Sequence, residues 1–250
     1  MFDQNILVFV GFGFVAQMID GALGMAYGVS SMTFFLSFGV PPAISSACVH
    51  TSEVFTTAVS GLSHFRFGNV NRNLFLRLLI PGVIGGVLGA YILSELPGGK
   101  IRPFVAIYLL VMGVIILCKV FRKIPTKERK TQIVPLGLAG GFFDAIGGGG
   151  WGPIVTTTLM ANGSTPRFAI GSVNSAEFFV TIAESITFFA TIGLLLLQHW
   201  EKILGLIIGG VIAAPLAAYV CKRVPTRALM IMVGVLIVVL SLRTLYLSWF

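Results

Sequence analysis

QMIDGALGMAYG (Gln17–Gly28) and GFFDAIGGGGWG (Gly141–Gly152) are polar, glycine-rich interruptions of an otherwise apolar chain. Their aspartates, Asp20 and Asp144, lie 124 positions apart. The same offset, without a gap, superposes Gly13 on Gly137, Gly24 on Gly148, Thr33 on Thr157, Pro42 on Pro166, Glu53 on Glu177 and Gly85-Gly86 on Gly209-Gly210. A register held over that length marks an internal duplication. Glycine is a poor helix former, so each stretch reads as a break in a helical element.

Working outward, the surroundings are those of a membrane protein. The chain has 250 residues, 56% of them hydrophobic and 10% charged, where a soluble domain carries about 25% charged residues. Its mean hydropathy is +0.96. Apolar runs near 74–96, 103–121, 203–221 and 228–248 pass the roughly 18 residues expected of a spanning helix. The expectation is an all-α, polytopic protein of a cell membrane, with the lipid bilayer as its surroundings. The first residues carry no lysine or arginine, so no cleavable signal is read there.

The net charge of +8 does not point to nucleic acid. Six of the basic residues sit in KVFRKIPTKERK (Lys119–Lys130), at the joint between the repeats, where cytoplasmic loops collect lysine and arginine. Residues 1–121 thus form a first repeat, 122–132 a basic cytoplasmic linker and 133–250 a second repeat. Cys48, Cys118 and Cys221 have no metal-ligand spacing, and no cofactor is implied.

Each break is flanked by apolar pieces of about a dozen residues, the length of a re-entrant segment rather than a span. A re-entrant hairpin followed by three spans, near 41–62, 74–96 and 103–121 in the first half, makes the second half enter upside down. This inverted arrangement keeps Arg66, Arg72, Arg77, Lys222, Arg223 and Arg227 on the side of the basic linker, with both termini outside. Four full spans per half would make the repeats parallel and place Lys222, Arg223 and Arg227 on the wrong side.

Duplicated halves with broken helices place a binding site between the breaks. A half-helix starting after a break aims free N–H groups and its positive end at that site, which suits an anion. Gln17, Gly24, Met25, Gly148, Gly149, Gly150 and Trp151 are the candidate substrate contacts there. Close helix packing is the alternative use of the glycines, core packing that of Tyr27 and Trp151, and helix capping that of Asp20 and Asp144.

After each hairpin, Ser46, His50, Glu53, Thr57, Ser60 and His64, then Asn174, Glu177, Thr181 and Glu184, follow one helical stripe. Polar groups in a bilayer face the bundle interior and mark substrate or ion paths. Asp20, Glu53, Asp144 and Glu177 are the candidate proton-coupling acids, with His50 a turn before Glu53. His50 and Asn174 are substrate-binding candidates. Arg167 stands where the first copy has Ala43, so a substrate contact there would be one-sided.

IDGALGMAYGVSS followed by SACVHTSEVFTTAVSGLSHFRFGNV, and FFDAIGGGGWGPIVTTTLMANGSTPRFAIGSVNSAEFF in the second half, resemble the TauE/SafE-type sulfite exporter family of membrane permeases. The resemblance covers essentially the whole chain. It implies transport of a small sulfur-containing anion, such as sulfite or an organosulfonate, coupled to protons, with Asp20, Gly24, His50, Glu53, Asp144, Gly148, Asn174 and Glu177 in the matching motifs. A passive anion channel is the competing expectation. A divalent-metal permease or enzyme using His50, Glu53 and His64 is a weaker one, because the aligned second stripe has no histidine and the chain no HExxH motif.

Overall fold

The computed structural model describes residues 6–23, 25–121, 130–220 and 226–249. The first half contains α1 (Ile6–Leu23), α2 (Tyr27–Ser37), α3 (Pro42–Arg66), α4 (Arg72–Glu95) and α5 (Gly98–Lys119). The second contains α6 (Ile133–Gly147), a π-helical turn at Gly152–Thr156 leading into α7 (Thr157–Ala161), α8 (Pro166–Leu197), α9 (Trp200–Val220) and α10 (Thr226–Trp249). Among the described residues, Arg72–Glu95, Gly98–Lys119, Arg167–Leu197 and Met230–Ser248 are long and apolar enough to cross a membrane. The protein is an all-α polytopic membrane protein. Gly24, residues 122–129 of the basic linker, and Cys221, Lys222 and Arg223 lie outside the described residues.

Both broken elements turn back on themselves. The rings of Phe12 and Phe34 stack with centroids 3.9 Å apart, and those of Phe9 and Phe35 at 5.6 Å. A helix running straight on through the break would carry these pairs tens of ångströms apart at 1.5 Å per residue. In the second half Asn162 Nδ2, just past α7, donates to Thr131 Oγ1, just before α6, at 2.9 Å. One detail differs from the expectation: α1 is 18 residues long and runs through Asp20 and Gly21 to Leu23. A single glycine lowers helix stability by only about 1 kcal/mol, and packing against α9 holds the turn.

The halves are laced together reciprocally: α1 lies along α9, and its counterpart α6 along α4. Equivalent helices cross antiparallel. On α3 and α8 the contacts run Ser60 to Asn174, Thr57 to Thr181 and His50 to Glu184. On α5 and α10, Gly113 meets Ile237 while Leu117 meets Gly234.

Helix α4 shows why glycine packs inside. Its exposed face carries Leu76, Ile80, Ile84 and Leu88, while Gly82, Gly85, Gly86 and Gly89 are buried. With lipid as apolar as leucine, large residues gain nothing by facing inward, and small ones let backbones approach. A Cβ on Gly141 of α6 would strike the Gly82 carbonyl and come within 2.8 Å of Gly86 N. Gly141→Ala is therefore expected to destabilise the protein by about 1–3 kcal/mol, read as a lower thermal midpoint in detergent. Gly99→Ala, where nothing lies within 4 Å, serves as the comparison; equal midpoints would contradict the α4–α6 contact.

Candidate functional site

The two breaks meet at the centre of the molecule. A Cβ on Gly28 would lie 2.5 Å from Gly148 O and from Gly149 Cα, so the missing side chain is what lets the backbones touch. Gly148 and Gly149 have φ of +63° and +147°, conformations that glycine adopts at little cost. Ala26, the repeat-equivalent of Gly150, reaches φ 99° without being glycine.

The two breaks pack backbone against backbone at this point. A groove of about 480 Å³ lies elsewhere, where Thr51, Ser185, Phe189, Leu196, Trp200 and Ile203 line an apolar surface between α3, α8 and α9.

The aspartates cap the returning helices, and they do so at equivalent places. Asp144 Oδ1 accepts from Gly150 N at 2.5 Å and from Trp151 N at 2.8 Å. Asp20 Oδ1 accepts from Tyr27 N, the counterpart of Trp151 N, at 3.3 Å. An N-cap oxygen satisfies donors that the helix cannot use itself. The N–H groups that the sequence offers to an anion are thus partly bonded to the chain's own carboxylates. The two caps are unequal: Asp144 is 1% exposed, whereas Asp20 is only half-buried.

Around the second break the stripe residues of α3 and α8 converge. His50 Nδ1 lies 3.1 Å from Glu53 Oε2 and 3.2 Å from Glu184 Oε2. His50 Nε2 lies 3.2 Å from the main-chain oxygen of Asp144. His50, Asp144 and Glu184 each present a donor atom within 4.8 Å of the others, and all three are buried. Asp144 Oδ2, Glu184 Oε1 and the Tyr108 hydroxyl are buried without a hydrogen-bond partner among the described residues. The Tyr108 hydroxyl lies against Gly150. Glu53 Oε1 reaches the first break, 3.0 Å from where a Cβ of Gly28 would stand. One imidazole cannot balance three carboxylates, and a buried charge left unbalanced costs several kcal/mol. Such a cluster is suited to taking up protons.

Other expected site residues are placed differently. Gln17 is buried, with Oε1 unpartnered among the described residues, and Met25 is half-buried beside Lys119 Nζ at 3.7 Å. Trp151 is wholly buried; its indole packs over Gly82 and Gly140, and its Nε1–H bonds to Val173 O at 3.0 Å. Asn174 donates to Ser60 Oγ at 3.1 Å, on the far side of the Thr57–Thr181 contact from His50. Glu177 is only partly buried. Arg167 is exposed and ties the loop after α3, bonding Asn69 Oδ1 and Phe67 O. His64 pairs with Asn69 rather than with His50.

The family model described as sulfite exporter TauE/SafE matches residues 9–244. The chain belongs to the TauE/SafE family. A Bacillus subtilis protein described as a probable membrane transporter protein, YtnM, is 41% identical to it, over 98% of this chain and 84% of that protein. No solved structure matches the chain. Within this TauE/SafE protein, Tyr108 and the pairing of Glu184 with His50 are the features that sequence reasoning passed over. Glu184 was visible as the last polar residue of the second stripe. Tyr108 stands opposite Met232 in the repeat, so duplication gave no hint of it.

Proposed function

We propose that this protein is a secondary transporter that moves a small sulfur-containing anion, sulfite or an organosulfonate, together with protons, by alternating access of two inverted repeats. The observation that carries this reading is the contact of the two glycine breaks beside the His50–Glu53–Asp144–Glu184 cluster. The antiparallel crossing of equivalent helices is the geometry that inverted repeats require, and the charge of the basic linker supports an orientation with that linker inside and both termini outside. The substrate passes the breaks, where Gly148–Gly150 and His50 are its closest candidates, with Gln17, Met25 and Tyr108 flanking.

So many buried acids oppose an anion unless protons accompany it, and that turns an apparent obstacle into coupling. Touching breaks favour a carrier over an open pore, since a channel of this build needs them apart. The test is counterflow of radiolabelled sulfite in proteoliposomes with and without a pH gradient. A carrier is accelerated by unlabelled sulfite on the opposite side; a pore is not. Glu53→Gln and Glu177→Gln are expected to lose the stimulation by the pH gradient more than sulfite binding, and unchanged coupling in both would remove these two acids from the mechanism.

A further inference from the structure

Helices α3 and α8 cross at Thr57 and Thr181, whose hydroxyls are 3.5 Å apart. Two contacts flank that crossing, Ser60 with Asn174 at 3.1 Å and His50 with Glu184 at 3.2 Å. They are the same contact seen twice, because His50 corresponds to Asn174 and Ser60 to Glu184 under the 124-residue offset. On one side an amide and a hydroxyl complete it; on the other, an imidazole and a carboxylate do. The neutral version shows that the crossing itself does not need ionisable groups. In the low-dielectric interior the ionisable version is the costlier one, so it is there for something other than packing.

Its hydrogen-bond geometry says what. The Asp144 main-chain oxygen can only accept, so His50 Nε2 carries a hydrogen. Nδ1 then faces two carboxylate oxygens, of Glu53 and of Glu184. One proton among these three groups lets each arrangement close a bond; with none, a lone pair and two carboxylates confront one another. The surroundings add acids and phenols: Asp144 from α6, Asp20 from α1, Glu177 from α8, Tyr108 from α5 and Tyr27 from α2. From α4, Gly86 lies against Glu184 Oε1, and Lys202 of α9 is bonded to His199. No lysine or arginine forms an ion pair with these carboxylates among the described residues.

We propose that the coupling proton is bound by the His50–Glu184 pair, a single site placed off the pseudo-symmetry axis, while Glu53 links it to the first break. Uptake forms one N–H or O–H bond inside the pair, and release returns that proton to water. This rests on the proton-coupled reading above, although the site can be tested without a substrate.

Infrared pH-difference spectra of the purified full chain read buried carboxyl groups directly. A titrating buried-carboxyl band is expected in the unmodified protein and lost in Glu184→Gln. It should also be lost in the double variant His50→Asn with Glu184→Ser, which copies the neutral pair the fold already holds at the other contact. His64→Gln should leave it unchanged. A band that persists in both the single and the double variant overturns the assignment. So does a stoichiometric zinc binding that disappears with Glu184→Gln, which would make the cluster a metal site. In proteoliposomes, sulfite uptake driven by a pH gradient should fall about tenfold in Glu184→Gln, a coupling loss of ordinary size. If the unmodified protein takes up no sulfite while the infrared band behaves as expected, the substrate reading fails and the proton site stands.

Discussion

Asp144→Ala is expected to lower the thermal midpoint of the purified protein far more than Asp20→Ala, and to abolish sulfite counterflow. The reason lies in what each carboxylate holds. Asp144 Oδ1 accepts two main-chain N–H groups at a wholly buried site. Leaving a buried donor unpaired costs about 1–3 kcal/mol, and here two donors are exposed to that cost. Asp20 accepts one N–H, at 3.3 Å, from a half-buried position. Its loss should be nearer the usual cost of a missing cap, about 1 kcal/mol. Asp144→Asn separates the two roles of the side chain. The amide oxygen can still accept from Gly150 and Trp151, so the midpoint should largely recover. The carboxylate beside His50 and Glu184 is gone, so pH-gradient-driven uptake should not recover. Differential scanning fluorimetry and counterflow on the same preparations check both halves; equal midpoints for the two alanine variants would refute the unequal caps.

The duplicated hairpins were readable because glycine runs and a fixed offset are local properties of the chain. So was the polar stripe, which follows from helical spacing alone. What required coordinates was register between helices distant in sequence. The offset pairs His50 with Asn174 as equivalents, but only the crossing at Thr57 and Thr181 makes His50 a neighbour of Glu184. Trp151 follows the break, where sequence leaves a ligand contact and core packing both open. Its slot is made by Gly82 on α4 and Gly140 on α6, and no property of the local sequence announces that slot. Ala26 shows the opposite failure: it adopts φ 99° with an ordinary side chain, at a position where glycine would have been the natural expectation. Broken backbone at membrane depth must be buried or hydrated. The chain meets that rule by burial, since Gly28 and Gly149 close the gap themselves.

That closure yields the prediction with the sharpest contrast. Gly149 has φ +147°, a region that costs residues bearing a side chain about 1–3 kcal/mol. A Cβ there would also stand 2.5 Å from Gly28 Cα, and backbone cannot move aside as a side chain can. Gly149→Ala is therefore expected to separate the breaks and reduce counterflow by about a hundredfold, the equivalent of roughly 3 kcal/mol. Gly148→Ala makes a fair comparison, because it is the neighbouring glycine with a milder conflict. Its φ of +63° is the left-handed region, worth about 1–2 kcal/mol, and its Cβ would meet the Met32 side chain at 2.8 Å. Methionine is flexible enough to yield. Gly28→Ala carries the clash with Gly149 but lies in an ordinary helical conformation at the start of α2. If contact between the breaks is what matters, Gly28→Ala should resemble Gly149→Ala in transport and Gly148→Ala should retain measurable exchange. Should Gly28→Ala transport normally, the contact is incidental, and the loss in Gly149→Ala reports strain in one loop alone.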